Sequence, residues 1–396
     1  MTPIRLALVN LLHDSKRTAI SVIGAAFAVV LVFMQLGFLG SVENTATLFY
    51  DKLQFDAIVI SSEYIDMSRP GKLDRNRLAQ ARSAAGVKDI QAVSLGGGLW
   101  RNPTNDPEKG QRKWQITVVG VDPAAIPKIF LPPGEGGIFA NAEDEGRKRA
   151  ALSRYGTVLL DEMSRPDFGD PELMPPGTLA ELNGQDVELA GYFRAGTGFS
   201  YTGLLITNDE TFSKILGTPG EKVSLGLISV EPGQDPDAVA ERLRKVLPAD
   251  CRVYTREQMA AYERDYWVTR TAVGQFFYFG VLLALMVGSI FIYQMMVADI
   301  KKHLPEYATL KAMGYRFGYL FLLVASQAVV LAILGYAIGL IGALGLYEVT
   351  KAAARLPIWM TLDRMVIVLI LTVAMCVGSG LVAVRKVRNA DPASLF

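Results

Sequence analysis

Four stretches of this chain are too apolar and too long to be anything but helices surrounded by protein or set in lipid. They are residues 18–42, 272–297, 319–348 and 364–384. About 20 apolar residues of helix cross a bilayer core, and each stretch reaches that length with almost no charge inside it. Between the first and the second, residues 43–271 change character, with charge throughout and frequent Pro and Gly. The composition carries both signatures at once, 51% hydrophobic yet 20% charged. The pattern predicts a membrane protein, α-helical with four transmembrane helices, and a large α/β (α+β) domain inserted between helices 1 and 2. The first run exceeds the roughly 7–15 apolar residues of a signal peptide, so it reads as a retained span.

The N-terminal stretch 1–17 reads as an amphipathic helix, with Thr2 as N-cap, Pro3 at the first helical position and Lys16-Arg17 before the span. Within the insert, β-branched runs predict strands at 57–61, 115–121, 157–160, 186–192, 204–207 and 225–230. Helices are expected at 74–85 and 235–247, the second stopped by Pro248. Residues 128–154, rich in Pro, Gly and charge, read as a surface loop. Gly96-Gly97-Gly98 lacks the strand–GxGxxG–helix setting of a phosphate cradle. Thr255 with Gln258 three residues on predicts a capped helix leading to the second span, a stalk within 43–271. Tyr262, Tyr266 and Trp267 on it suit either an interfacial anchor or a motion-carrying stalk.

Small residues recur every fourth position in the later spans. Gly280, Ala284 and Gly288 form one stripe and Gly335 and Gly339, followed by Gly342 and Gly345, form another. Such stripes let helices approach closely. Gln35 and Gln294 are the main polar side chains at depth, and interhelical hydrogen bonding is their expected role. The scarcity of intramembrane carboxylates argues against an ion or proton pathway.

Residues 298–318, between the second and third spans, form a short charged segment pinned at one membrane surface. Pro305 suits the first turn of a helix there and Gly314 its C-terminal stop. Arg5, Lys16, Arg17, Lys301, Lys302, Lys311, Arg316, Arg385, Lys386 and Arg388 all fall on the side that holds both termini and this segment. The positive-inside rule makes that side cytoplasmic. The 385–396 tail is then cytoplasmic, and the short turn 349–363 and the insert are periplasmic in a two-membrane cell.

Net charge is +1, which offers no electrostatic basis for binding nucleic acid. Two cysteines and two histidines give no metal spacing and no His-based catalytic set. No G-x-x-x-x-G-K-[ST], HExxH or GxSxG motif occurs. A membrane-bound enzyme with its active site in the insert is therefore the weakest reading.

Phe33–Phe38, Ser164–Gly169, Glu263 with Tyr266-Trp267, His303–Tyr315 and Asp391–Ala393 together resemble the DevC family of ABC transporter permeases, within the FtsX/MacB-type superfamily. The resemblance covers essentially the whole length. It implies a homodimer that pairs with a separate ABC ATPase subunit, which binds the ATP and Mg; no cofactor is expected in this chain. It further implies a HlyD-like membrane-fusion adaptor and a TolC-like outer-membrane channel, with membrane lipid around the spans. On this reading 298–318 is the coupling helix, and Pro305, Glu306, Tyr307, Leu310, Lys311, Met313 and Gly314 meet the ATPase. The expected function is mechanotransmission-type export of a lipidic or amphipathic substrate across the cell envelope, by a multi-pass protein of the inner membrane. The alternative is an FtsX-like signalling protein that activates a periplasmic partner such as a cell-wall hydrolase.

Overall fold

The computed structural model describes residues 15–103, 112–134, 136–302, 317–354 and 356–388. The chain divides into two compact units. One holds the chain up to Gly40, Ala272–Ala354 and the chain from Ile358; the other holds Ser41–Thr271 with 355–357.

The helical unit is built on α1, Ser15–Ala46, the first element. Three more long helices in this unit appear later in the chain, at Ala272–Lys302, Phe317–Ala354 and Leu362–Arg388. All four are long and apolar enough to cross a membrane. Half of the apolar window of α1 is buried, against 17%, 28% and 33% for the other three. Small residues make that possible. A Cβ on Gly335 would come within 2.6 Å of the Ala25 Cβ, and one on Gly339 within 2.6 Å of Val29. One on Gly288 would come within 2.7 Å of the Ala28 Cβ and 2.9 Å of the Met375 sulfur. Gly280 lies against the Gln35 side chain, and Ala284 is buried beside Val29 and Phe33. Gly345, by contrast, faces open space. Tyr347 reaches over Gly37 and donates to the Phe33 carbonyl at 2.6 Å.

The polar expectations at depth need one correction. Gln294 sits on the exposed side of its helix, while Gln327 is buried with only 1% of its surface accessible. Both residues occupy apolar helices, and sequence alone did not tell which side of each helix faces the bundle.

The other unit is organised by one mixed sheet. In chain order its strands and helices are β1 (Ala57–Ser61), β2 (Leu73–Asp74), α2 (Arg75–Arg82), β3 (Val87–Arg101), β4 (Lys113–Val121), α3 (Ala142–Leu152), β5 (Thr157–Asp161), β6 (Leu179–Leu182), β7 (Gln185–Phe193) and β8 (Leu204–Asn208). Then come α4 (Asp209–Leu216), β9 (Lys222–Val223), β10 (Leu225–Val230), α5 (Pro236–Val246), β11 (Cys251–Thr255) and α6 (Arg256–Asp265). The long helices of the first unit are α7 (Ala272–Lys302), α8 (Phe317–Ala354) and α9 (Leu362–Arg388). The main sheet has the order β11-β1-β10-β3-β4-β8-β5-β7-β6, and β6 also pairs with the end of β3. β3 therefore serves two lobes. Its first half carries β10, β1 and β11, with α2 and α5 packed over an Ile/Val/Leu core. Its second half closes a ring of strands around Trp100, Ile116, Val158 and Leu205.

All six expected strands are present, with ends shifted by no more than a few residues. The long strand β3 was not foreseen, because its Gly96-Gly97-Gly98 run breaks the β-branched pattern. Each of Gly96 and Gly98 would place a Cβ within 2.7 Å of a leucine, Leu216 and Leu182 respectively, so close packing rather than turn geometry explains them. Residues 128–154 are a second correction, since they are not a plain surface loop. Phe130, Ile138 and Phe139 are buried in the core, and Ala142–Leu152 is helix α3. Asn141 caps it, accepting from Asp144 N at 2.8 Å, and Glu143, Asp144 and Glu145 complement its N-terminal dipole.

Candidate functional site

The folded insert is joined to the rest of the chain at two places, the end of α1 and the end of α6. Both are gripped inside the sheet unit, and the two grips form the site.

The first grip holds the last turns of α1. Thr45 donates its hydroxyl to Ser41 O at 2.8 Å. The loop after β7 closes over it: Phe199 N donates to Thr45 Oγ1 at 3.2 Å and Ser200 Oγ to Thr45 O at 2.8 Å. The Thr45 side chain occupies the space a Cβ on Gly198 would need, so only glycine permits this approach. Gly196, at φ +103°, turns the loop in a conformation that favours glycine. Asp161, at the end of β5, anchors the loop. Its Oδ1 accepts from Ala195 N and Met163 N, both at 3.1 Å, and its Oδ2 from Gly196 N at 3.0 Å. Burial raises the Asp161 pKa to about 6, against the pull of those three N–H donors. The Ser164–Gly169 segment forms the shelf beneath. Arg165 N donates to Thr202 O at 3.1 Å, and the Phe168 ring fills the space beside Gly203.

The second grip holds α6. Gln258 Oε1 accepts from Thr255 N at 3.2 Å, the expected capping box. Arg256 donates to the carbonyls of Phe55 at 3.3 Å, Tyr50 at 3.4 Å and Leu53, tying α6 to the chain that follows α1. One turn from Met259, on the same buried face, Glu263 is fully buried. Tyr64 donates to its Oε1, and Tyr50 is hydrogen-bonded in turn to Tyr64. The second oxygen, Oε2, has no hydrogen-bond partner among the described residues. Burial pushes the Glu263 pKa up to about 8; the Tyr64 hydroxyl opposes this, and the Asp66 charge adds to it. At neutral pH the group is mostly the neutral acid. Beyond it, Arg69 forms a two-pronged pair with Asp66 at 2.7 and 3.1 Å and donates to Tyr266. Tyr262 donates toward Tyr64 O and Ile65 O, each at 3.3 Å. These aromatics are thus bound into the sheet unit.

No group of three metal-ligating side chains occurs among the described residues. Cys251 and Cys376 are free thiols. Pro305, Glu306, Tyr307, Leu310, Lys311, Met313 and Gly314 fall outside the described residues. Thr45, Asp161 and Gly198 were not singled out from sequence. Glu263 stood among the residues of the family resemblance, and its burial is readable from the face it shares with Met259 on a capped amphipathic helix.

Residues 18–246, more than half of the chain, match the model of the MacB-like periplasmic core domain. Residues 278–392 match the model of the FtsX-like permease C-terminal region. The chain belongs to the MacB-like family of ABC transporter permeases. A curated relative of this MacB-like permease is an uncharacterized ABC transporter permease protein of Mycobacterium tuberculosis, 26% identical over 210 residues. That match takes in 52% of this chain and 22% of the relative, so the chain spans well under half the relative's length. Among solved structures, the extracellular domain of the noncanonic ABC-type transporter YknZ from Gram-positive bacteria covers 52% of this chain and 98% of its own. It is 15% identical, with a TM-score of 0.34. The periplasmic region of MacB from Actinobacillus actinomycetemcomitans covers 54% of this chain and 94% of its own, at 11% identity and a TM-score of 0.35.

Proposed function

We propose that this MacB-like permease is the membrane subunit of an ATP-driven exporter of the DevC type, in which motion rather than a substrate channel is transmitted through the chain. The observation that supports it most is the union of a MacB-like core domain and an FtsX-like permease region in one sequence. A separate ABC ATPase binds ATP and Mg and docks on 303–315, with Glu306 and Lys311 as its charged contacts. Two copies of the permease act together, with both termini cytoplasmic and the insert periplasmic. ATP-driven closure of the ATPase moves the spans, and α1 and α6 deliver that motion to the insert through the grips at Thr45 and Glu263. The insert then drives a HlyD-like adaptor and a TolC-like outer-membrane channel, moving a lipidic or amphipathic cargo.

The FtsX-like match supports a second reading, in which the same motion activates a periplasmic enzyme such as a cell-wall hydrolase. Affinity purification of the full-length chain from membranes separates them. Export expects an ATPase with a Walker A motif and a membrane-fusion adaptor to co-purify. A hydrolase in place of the adaptor supports signalling, and recovery of no ATPase overturns both.

A further inference from the structure

One edge of β3 is left open in the middle of the sheet. Along that edge the strand pairs with β10 as far as Val93 and with β6 from Trp100. Two isolated residues patch part of the interval. Ser224 N donates to Val93 O at 3.0 Å, and its hydroxyl accepts from Leu95 N at 2.8 Å and donates to Leu95 O at 3.2 Å. Asn183 mirrors this on the other side: its Oδ1 accepts from Leu99 N at 2.7 Å and its N donates to Leu99 O at 2.9 Å.

Gly97 lies midway between them. Strand geometry repeats every two residues, so its N–H and C=O point the same way as those of Leu95 and Leu99. The opposite strand agrees: Thr117, the register partner of Gly97, turns its N–H away to Gly203 O at 3.1 Å. No described residue pairs with the Gly97 amide or carbonyl, and Gly97 is exposed. A cleft of about 440 Å³ opens there, lined among others by Gly96, Gly97, Leu216 and Lys222, with Glu63 and Lys72 also on its wall. It adjoins a second of about 270 Å³, and the two share Ser94, Thr218 and Lys222. Lys222 is paired with Asp74 at 3.3 Å, whereas Glu63 and Lys72 have no ion-pair partner among the described residues.

We infer that this cleft binds an extended polypeptide segment of a partner protein, which adds to the open edge of β3 and pairs with Gly97. An extended chain is the ligand that presents a C=O and an N–H at the spacing a strand edge requires, and strand addition is an established mode of peptide capture. The glycine leaves the edge unshielded, and Glu63 and Lys72 on the wall can read flanking side chains of opposite sign. The inference is independent of whether the chain exports or signals.

The test is panning of a random 12-residue peptide phage library on the full-length protein in detergent, followed by binding of the fluorescein-labelled peptides so selected. Gly97→Pro removes the edge N–H without removing a bond to β4, and Gly97→Ala retains it. The expected result is binding by wild type and G97A and at least tenfold weaker binding by G97P, with near-wild-type melting of all three. Selection of no peptide, or equal binding by folded G97P, overturns the inference. If G97P fails to fold, hydrogen exchange at Gly97 of the wild type decides: slowing by the selected peptide supports strand addition, and unchanged exchange refutes it.

Discussion

Glu263→Gln probes the α6 grip through its protonation. The unfolded carboxyl ionises near its ordinary value of 4.5 and the folded one near 8. Between those values unfolding releases a proton, so stability falls as pH rises. It is full below 4.5, drops by about 1.4 kcal/mol per pH unit, and levels off above 8. Over that interval Glu263 costs the wild type about 5 kcal/mol. Glutamine has the same shape and no proton to release. The melting temperature of E263Q relative to wild type should therefore climb between pH 4 and pH 8.5. For a unit of this size 1 kcal/mol is worth about 2–4 °C, giving a relative gain of about 10–20 °C. Any fixed cost of placing an amide among Tyr50, Tyr64 and Trp267 cancels when the two pH values are compared. So does the titration of Asp161, which is present in both proteins. The assay is thermal unfolding of the full-length protein in detergent, followed by tryptophan fluorescence. A difference between E263Q and wild type that is the same at both pH values would refute the reasoning.

The α1 grip and the helical bundle give two further expectations. Asp161→Asn replaces an oxygen that accepts a backbone N–H with an amide donor, and should cost about 1–3 kcal/mol, read as a lower melting temperature and faster hydrogen exchange at Ala195 and Gly196. Gly288→Leu forces a side chain into the Ala28 and Met375 contacts and should lower detergent stability by about 1–3 kcal/mol; wild-type stability would count against close packing there.

Sequence patterns expose some of this architecture and conceal other parts for physical reasons. The four apolar helices were legible because hydropathy over 20 residues is a strong signal, and the strands from Ala57 to Val230 because β-branched runs are. Thr255 and Gln258 announced α6 through local capping chemistry. β3 was hidden because Gly96 and Gly98 are there for contacts with residues more than 80 positions away, Leu182 and Leu216, and long-range packing leaves no local pattern. Helix α3 was hidden by emphasis on the Pro/Gly content before it, although Asn141 and the acidic turn Glu143–Glu145 were readable cap signals. The grip at Thr45 joins residues about 150 apart, and only the fold brings them together. Gln294 and Gln327 show that a polar residue in a span does not by itself reveal which side faces protein.

The central claim is that ATP-driven motion enters this chain through 303–315 and leaves through the insert. Glu306→Lys tests it most directly. Wild type and variant are reconstituted in proteoliposomes with the co-purified ATPase and adaptor, and ATP turnover and cargo release are measured together. The variant should remain folded and inserted with ATP still hydrolysed, while export falls to background. An unchanged export rate in E306K would contradict it.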